Sequence, residues 1–540
     1  MKLYCTLLIF LSFFKLQNDI RHIVNQMPYP QHVDEYHVLV NGMIMRNNEN
    51  LFPGILCYPS FPIYFCAIIS EITHSFEHHF LTHKKKDNFS VENYPYYKEN
   101  LSITTNKIIV ACLSLLIPLL LSLVILHLTE SKVFSLLCFV IICLSELYTY
   151  HSRAYINIDI FASMFVSINI FYFVFLFNRK NILRHIILPG VLTGLTISSK
   201  YPHGLILLIY LYSYFACKDY TFIKKFVLSL STFTIALFTT LICCPYIFIF
   251  PDQWFAEIII QRNVYRNGWP GYTIEPGLPN LAVQIKQLFQ EFGTINSLLS
   301  FFGILFLILK RHKLSIPILL YFIVFLIYFS SHSVNLVRNL LPLYALWGVF
   351  ISLGGYYLFI YLKPKIGVKP SFLILLFLVL FSLPSSKISK IFKNIPETRN
   401  AVSDFVITNL DIGNKLIVAK ELGLYLKPLQ GFQIQEVNFL DKDRKSLNPQ
   451  LHDLVNENDI FIYPEFCADL RWPKDDRYAL KLNQSLNDIN PLFFAAGNVG
   501  GSDGYMNLSR AGIQVKSNPP SPWGNPTIKL TRGLSIKSTP

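Results

Sequence analysis

The sequence has 540 residues, 52% of them apolar and 15% charged, with a mean hydropathy of +0.40 and a formal net charge of +14. Soluble domains carry about 25% charged residues, so this composition excludes a soluble globular protein. Because many basic residues lie in short loops between apolar segments, the positive charge indicates membrane topology rather than a nucleic-acid partner.

Long segments without a charged side chain recur along the chain, for example at 108–126, 160–177 and 226–250. Segments of this length match the hydrocarbon core of a bilayer, about 30 Å thick, at a rise of about 1.5 Å per residue. The chain is therefore predicted to be a polytopic α-helical membrane protein. Eleven spans are predicted, at 3–16, 107–127, 133–148, 157–177, 183–198, 203–217, 226–250, 294–309, 314–330, 338–362 and 369–385.

The basic residues between the spans indicate the orientation of the chain. With the N-terminus in the cytoplasm, the five inner loops carry thirteen Lys and Arg residues, whereas the three short outer loops carry one each. The positive-inside rule therefore predicts a cytoplasmic N-terminus and an extracytoplasmic C-terminus in a plasma or inner membrane. This topology requires an odd number of spans, which favours retention of the first one over its removal as a signal peptide.

The composition predicts two domains. Residues 1–393 form the membrane domain, which includes a first outer loop (17–106) and a second long outer loop (251–291). Residues 394–540 are predicted to form a soluble extracytoplasmic α/β domain, because apolar residues at helical spacing alternate with short apolar runs. The helix is expected at 397–409 and the strands at 416–419, 433–439 and 459–463.

Ionisable residues collect on the predicted outer side, where they are costly at the edge of a span unless they have partners. They are Asp34 and Glu35 in the first outer loop, Arg153 and Asp159 between the third and fourth spans, Lys200 between the fifth and sixth, Arg262 in the second long loop, and Arg338 at the start of the tenth. Arg and Lys suit phosphate oxygens, and a carboxylate can take a proton from a hydroxyl group. The set predicts a polar cavity that handles a lipid phosphate, in a transferase or in another phosphate-handling membrane enzyme.

Four segments, in order over about residues 30–345, resemble the protein O-mannosyltransferase-like superfamily (glycosyltransferase family 39-like). That superfamily includes the aminoarabinose transferases that modify lipid A and many bacterial glycosyltransferases of the GT-C class. The similar segments are Asp34-Glu35 followed by YPSFPIY at 58–64, the stretch 151–159, GLTISSKY at 194–201, and RNLLPL at 338–343. In the last segment, Asn339 replaces the usual Tyr.

The resemblance implies a GT-C fold with about eleven transmembrane helices and an enzyme that moves a sugar from a polyprenyl-phosphate donor to a protein, lipid or polysaccharide acceptor. It implies that Asp34 is the catalytic base or positions the acceptor, and that Asp159 is a second acidic site residue. Lys200 and Arg338 would contact the lipid phosphate. Direct transfer would invert the configuration at the anomeric carbon of the sugar. Because no matching Asp-x-Asp motif is present, we expect neither a metal nor a cofactor.

The remaining site residues are predicted from their positions. Glu35 is grouped with the catalytic carboxylates, either supporting the site or solvated, and Arg153 and Arg262 are further phosphate-binding candidates. His74 and His78 share the spacing of a zinc site, although a solvated histidine-rich loop is preferred.

Structural roles remain open for several of these residues. Asp34 or Asp159 would cap the helix that follows it. Lys200 or Arg338 would have no contact with phosphate and would only extend its charged end to the membrane interface, that is, snorkel. At the level of the whole protein, the alternatives are a transporter or flippase of a lipid-linked sugar, and a receptor or scaffold.

Overall fold

The computed structural model describes residues 2–27, 29, 35–48, 51–80, 100–153, 156–177, 181–268, 272–310, 315–371, 373, 379, 398–422, 426, 429–438, 448, 450–456, 458–464, 493–495 and 528–532. Helices make up most of the described chain as far as residue 366, and a small sheet follows. The predicted fold class, a helical membrane protein with a C-terminal α/β part, is confirmed.

The α-helices are, in chain order, α1 (Lys2–Gln26), α2 (Asn41–Asn47), α3 (Phe61–Phe80), α4 (Asn100–Ser114), α5 (Leu116–Thr129), α6 (Lys132–Cys143), α7 (Glu146–Arg153), α8 (Ile158–Phe175), α9 (Leu188–Ser199), α10 (Leu208–Phe215), α11 (Phe222–Cys243), α12 (Tyr246–Ile249), α13 (Pro251–Asn267), α14 (Leu278–Phe292), α15 (Thr294–Lys310), α16 (Ser315–Ser330), α17 (Leu341–Ile366), α18 (Thr398–Asn409) and α19 (Leu451–Leu454). Short 3₁₀ or π-helical turns adjoin several of them, at Tyr36–Val40, Leu183–Ile187, Tyr201–Leu207, Val337–Leu340 and Lys420–Leu422.

Five helical stretches are long and apolar enough to cross a membrane: Lys2–Gln26, Leu101–Thr129, Ile158–Phe175, Phe222–Cys243 and Val337–Ile366. The number rises to seven if each of two bent pairs counts as one span, α6 with α7 (65°) and α14 with α15 (116°). The first ten predicted spans all coincide with helices, but several of these helices are short or broken by a bend. The eleventh, 369–385, lies largely outside the described residues.

The first helix is longer than the sequence predicted, because it continues to Gln26 instead of ending near residue 16. Lys15 and Asp19 stand one helical turn apart and form a buried ion pair. The pair compensates both charges, so the helix continues through a stretch that looked too polar for a span. The first outer loop therefore begins about ten residues later than expected.

The segment after Tyr58 forms the 20-residue helix α3. Ile68, Ile72 and Phe76 are exposed on it, so one face of the helix is apolar and accessible. His74 and His78 lie on this helix, and within the described ranges no group of three His, Cys, Asp or Glu side chains could hold a metal ion.

Close packing of α15 against α17 holds one side of the bundle together. A Cβ atom added to Gly354 would lie 1.9 Å from the carbonyl oxygen of Leu299, and one added to Gly303 would lie 2.3 Å from that of Phe350. Small residues let helix backbones approach in this way inside membranes.

We expect Gly354→Ala to destabilise the protein by about 3 kcal/mol, because the added methyl group has no room between the two backbones. Thermal unfolding of the purified protein in detergent measures the effect. Gly413→Ala is the matched control, since no atom lies within 4 Å of its added Cβ. Equal melting temperatures for the two variants would contradict the packing described here.

The C-terminal part contains a five-stranded mixed sheet. The strands are β1 (Lys415–Ala419), β2 (Gln433–Val437), β3 (Ile460–Pro464), β4 (Phe493–Ala495) and β5 (Ile528–Arg532), in the order β2-β1-β3-β5-β4. β1 is parallel to β2 and β3, whereas β5 is antiparallel to β3 and β4. The first three strands and α18 were predicted to within about two residues, and the last two were not predicted.

α18 contacts the residues that follow the first helix. The guanidinium of Arg399 lies 4.0 Å from the ring centroid of Tyr29, and Asn400 Nδ2 donates a hydrogen bond to the carbonyl oxygen of Met27 at 3.1 Å. The sheet has an apolar core of its own, separate from that of the helical bundle. The domain boundary at residue 393 stays a prediction, because residues 380–397 lie outside the described part of the chain.

Candidate active site

Three predicted site residues lie at the same end of the helical bundle. Asp159 is the second residue of α8, Lys200 directly follows α9, and Arg338 lies in the 3₁₀ turn before α17. Because α8 and α9 are consecutive and run in opposite directions, the start of α8 meets the end of α9. The structure thus brings together residues that are up to 179 positions apart in the sequence.

The three side chains form one charged cluster. Lys200 Nζ makes an ion pair with Asp159 Oδ1, and Arg338 Nε lies 3.7 Å from Asp159 Oδ2. Asp159 is 1% exposed and Lys200 is 8% exposed. Two cations therefore meet at one carboxylate where little water competes for them, which strengthens their attraction for an anion.

Two of the structural alternatives for this cluster are wrong. Asp159 does not cap α8, because the cap is Asn157, whose side chain accepts a hydrogen bond from Ile160 N at 3.0 Å. Lys200 does not snorkel to an interface, because its ammonium group is buried against Asp159.

Asn339 and Tyr265 extend the cluster by hydrogen bonds. Lys200 Nζ donates to Asn339 Oδ1 at 2.6 Å, and Asn339 Nδ2 donates to Tyr265 Oη at 2.9 Å. Asn339 is the residue that departs from the Arg-Tyr-Leu-Leu-Pro-Leu pattern of the similar superfamily. Its carboxamide helps to fix the lysine ammonium beside Asp159.

His203 is a buried neighbour that the sequence did not single out. Its ring packs edge-on against Phe325, with the ring centroids 4.8 Å apart. Neither ring nitrogen has a hydrogen-bond partner within the described ranges. The histidine therefore borders the charged cluster with hydrogen-bonding capacity that the protein leaves unused.

Glu35 occupies a second buried cluster near the start of the first outer loop. Its Oε1 lies 2.9 Å from Lys107 Nζ and accepts a hydrogen bond from Ile156 N at 3.3 Å. The alternative that Glu35 is solvated is wrong, because the side chain is fully buried. Glu35 thus joins the first outer loop to the second span and to the loop before α8, and its predicted catalytic role stays a prediction.

Arg153 lies at the end of α7 and contacts the first helix. Its Nη1 is 3.9 Å from Asp19 Oδ1, the carboxylate that also pairs with Lys15. Arg262 is exposed on α13. Asp34 lies outside the described residues. The proposed phosphate contacts of the two arginines and the catalytic role of Asp34 stay predictions.

α13, which we name the cover helix, ties three segments of the chain together. Glu257 Oε2 accepts hydrogen bonds from Leu56 N at 2.7 Å and Cys57 N at 2.9 Å. Trp254 Nε1 donates to Tyr201 Oη at 3.3 Å, and Tyr265 accepts the hydrogen bond from Asn339 described above. One face of the cover helix thus links the first outer loop, the residue after Lys200 and the residue after Arg338.

The opposite face of the cover helix is apolar and exposed, through Phe255, Ile259 and Ile260. Burial and the neighbouring Glu257 carboxylate raise the pKa of the Cys57 thiol to about 11. Cys57 is therefore a neutral thiol at physiological pH and is not a nucleophile. The polar contacts of the cover helix face the protein, and its apolar side chains face outward.

The cover helix contacts the charged cluster through Tyr265 and Asn339. We therefore expect Glu257→Gln to raise the KM of the reaction at that cluster about 3- to 10-fold, with little change in melting temperature. The carboxylate accepts two backbone hydrogen bonds, and a neutral amide oxygen accepts them more weakly. Steady-state kinetics on the purified variant measure the change. Asp252→Asn removes an exposed carboxylate of the same helix and should leave KM unchanged. Equal KM values for both variants would contradict the proposed effect of the two hydrogen bonds to Glu257.

Several of these contacts involve residues that sequence reasoning passed over. Lys107 is a charged residue at the edge of an otherwise apolar span, and Asp19 is an acidic residue one helical turn after a lysine. The position of each residue in the sequence could therefore have predicted a buried ion pair. Asn339 was visible as a departure from the family pattern. His203 and Glu257 had no comparable signal, because their roles depend on contacts with distant segments.

Comparison with known proteins gives one family match. Residues 77–255 match the family model described as dolichyl-phosphate-mannose-protein mannosyltransferase. This match, which covers about a third of the chain, confirms the predicted resemblance to the GT-C glycosyltransferases and supports an integral membrane transferase. No curated protein matches the chain in sequence.

Some solved structures match the chain at low sequence identity. ArnT from Cupriavidus metallidurans bound to undecaprenyl phosphate shares 10% identity over 98% of this chain and 98% of that chain, with a TM-score of 0.49. The apo state of the same protein shares 11% over 91% and 96%, with a TM-score of 0.46. The Archaeoglobus fulgidus oligosaccharyltransferase, in complex with Zn and sulfate, shares 10% over 91% and 68%, with a TM-score of 0.42.

Proposed function

We propose that this protein transfers a sugar from a polyprenyl-phosphate donor to an acceptor on the extracytoplasmic side of the membrane, with inversion and without a metal ion. The observation that carries the proposal is the meeting of Lys200 and Arg338 at the buried carboxylate of Asp159. The description of the matched family names dolichyl-phosphate mannose, which supports a lipid-phosphate-linked sugar as the donor here.

The proposed reaction breaks the bond between the anomeric carbon of the sugar and the phosphate oxygen. The acceptor oxygen attacks that carbon from the opposite face, and Asp34 takes the proton of the acceptor. The bonding electrons stay with the polyprenyl phosphate, whose growing charge Lys200 and Arg338 stabilise. Because a phosphate is already a good leaving group, no general acid is needed.

Asp159 acts in this proposal on the two cations and not on the sugar. Held between Lys200 and Arg338, it fixes both side chains in the positions from which they meet the phosphate. Arg153 and Arg262 are further candidates for phosphate contact. A protein, a lipid or a polysaccharide remains the proposed acceptor.

Binding of undecaprenyl phosphate to the purified protein tests the donor site. The wild type should bind it, and Arg338→Leu should weaken binding about tenfold or more, since a charge-assisted contact is worth about 1.5–3 kcal/mol. Lys218→Met removes an exposed cation elsewhere and should bind as the wild type does. Absence of binding by the wild type would refute the proposed donor.

The same lipid in proteoliposomes discriminates between the transferase and a flippase. A flippase would move fluorescent polyprenyl-phosphate sugar between the leaflets without any acceptor. The proposed transferase should instead leave the lipid in its leaflet and consume it only when an acceptor is present.

A further inference from the structure

α14 buries a stripe of polar side chains. Asn280, Gln284, Gln287 and Glu291 are spaced by four, three and four residues, so they share one face of the helix. All four are at most 2% exposed, whereas Lys286 is exposed on another face. An amphipathic helix normally turns apolar residues to the interior, so this buried polar face requires an explanation.

The two ends of the stripe are held by hydrogen bonds. At one end, Asn280 Nδ2 donates to the carbonyl oxygen of His332 at 2.8 Å. At the other end, Glu291 Oε1 accepts from Ser145 Oγ at 2.8 Å and from Leu147 N at 3.0 Å. These contacts explain Asn280 and Glu291 as structural anchors of α14.

In the middle of the stripe, only part of the hydrogen-bonding capacity of the carboxamides is used. Gln284 Nε2 donates to Asn280 Oδ1 at 3.2 Å, and Asn335 Nδ2 donates to Gln287 Oε1 at 3.5 Å. Gln284 Oε1, Gln287 Nε2 and Asn335 Oδ1 have no hydrogen-bond partner among the residues that the structure describes. Buried amide groups are rarely left in this state, so two acceptors and one donor require a partner, either water or a bound molecule.

The stripe adjoins the charged cluster through the chain itself. Asn335 stands three residues before Arg338, so their Cα atoms are at most about 11 Å apart. The intervening segment is fixed, since Asn335 N donates to the carbonyl oxygen of Tyr272 at 3.0 Å and Ile274 N donates to that of Ser333 at 2.8 Å. Asn335 therefore lies close to the position where Arg338 would hold a phosphate.

We propose that Gln284, Gln287 and Asn335 form the subsite that binds the hydroxyl groups of the donor's sugar. The inference rests on the proposed function, because it places the sugar next to the phosphate that Lys200 and Arg338 hold. Sugar hydroxyls both donate and accept hydrogen bonds, and carboxamides offer both partners. Since all three available atoms belong to uncharged amides, the subsite suits a neutral sugar better than an amino sugar, whose ammonium would require a carboxylate.

The test compares binding of bare undecaprenyl phosphate with binding of undecaprenyl-phosphate mannose and undecaprenyl-phosphate glucose. Gln284→Leu and Gln287→Leu should each weaken binding of at least one glycosylated lipid about tenfold, because each removes a hydrogen bond to a hydroxyl group. Binding of the bare lipid should change less than twofold. Lys286→Leu introduces the same side chain on an exposed part of α14 and should change neither.

Melting temperature supplies a second measurement. Each substitution also removes one hydrogen bond within the stripe and leaves a buried partner unpaired, so both variants should melt below the wild type, and lipid affinities are compared at equal folded fraction. Tighter binding of an aminoarabinose-linked lipid than of the neutral ones, equal losses for bare and glycosylated lipid, or no loss for either would overturn the subsite. If the wild type binds no polyprenyl phosphate at all, the proposed function fails first and the subsite fails with it.

Discussion

Replacing Lys200 with methionine should reduce sugar transfer at least about 100-fold. The ammonium of Lys200 is one of two cations at the buried carboxylate of Asp159, and in the proposed mechanism it stabilises the phosphate as it leaves. Removing one preorganised donor to a developing negative charge costs about 10²–10³-fold in rate. Turnover of a labelled donor by purified protein measures the loss.

Two further variants separate chemistry from folding in this experiment. Lys200→Arg keeps the charge in a different shape and should retain part of the activity, because a guanidinium does not reproduce the compact ammonium. Lys218→Met, an exposed lysine elsewhere, should behave as the wild type does. Transfer by Lys200→Met within about threefold of the wild type, at equal folded fraction, would refute the role of this cation.

Glu35→Gln should destabilise the protein by about 3–5 kcal/mol. The substitution removes the carboxylate that lies 2.9 Å from the buried ammonium of Lys107 and so takes away this compensation of its charge. Breaking a buried pair from one side is costly because the remaining ion stays desolvated. Thermal and denaturant-induced unfolding in detergent measure the change.

The double variant Glu35→Gln/Lys107→Met controls for this effect. Removing both charges together should restore most of the stability, because neither ion is then left alone. Equal stability of the single and double variants would show that the pair is not coupled. Activity of the double variant then tests whether Glu35 also acts in catalysis, since its structural contribution has been replaced.

The class of protein and the positions of most helices followed from the sequence, because uncharged stretches of the right length have one strong explanation. The ends of the first helix did not follow, because Lys15 and Asp19 compensate each other and hide a longer span. Strands β4 and β5 were missed because one has three residues and the other alternates apolar with basic and polar side chains, a strand pattern that differs from the short apolar runs on which the other strands were predicted.

The candidate site was predictable in part for a related reason. Asp159, Lys200 and Arg338 were identified because charges are scarce at the ends of spans and because their segments resemble those of the protein O-mannosyltransferase-like superfamily. Contacts between distant segments carry no local pattern, which is why Glu257, His203 and the amide stripe of α14 required the structure. The polar face of α14 was not predicted, because residues 251–291 were assigned to the second long outer loop.

The central claim is tested most directly by sugar transfer from a panel of radiolabelled polyprenyl-phosphate sugars, with the wild type beside Asp34→Asn. The account predicts transfer from at least one donor and its loss in the variant, which would establish the class of enzyme and identify the sugar. No transfer from any donor, with the labelled lipid crossing the membrane instead, would contradict the account and favour a transporter.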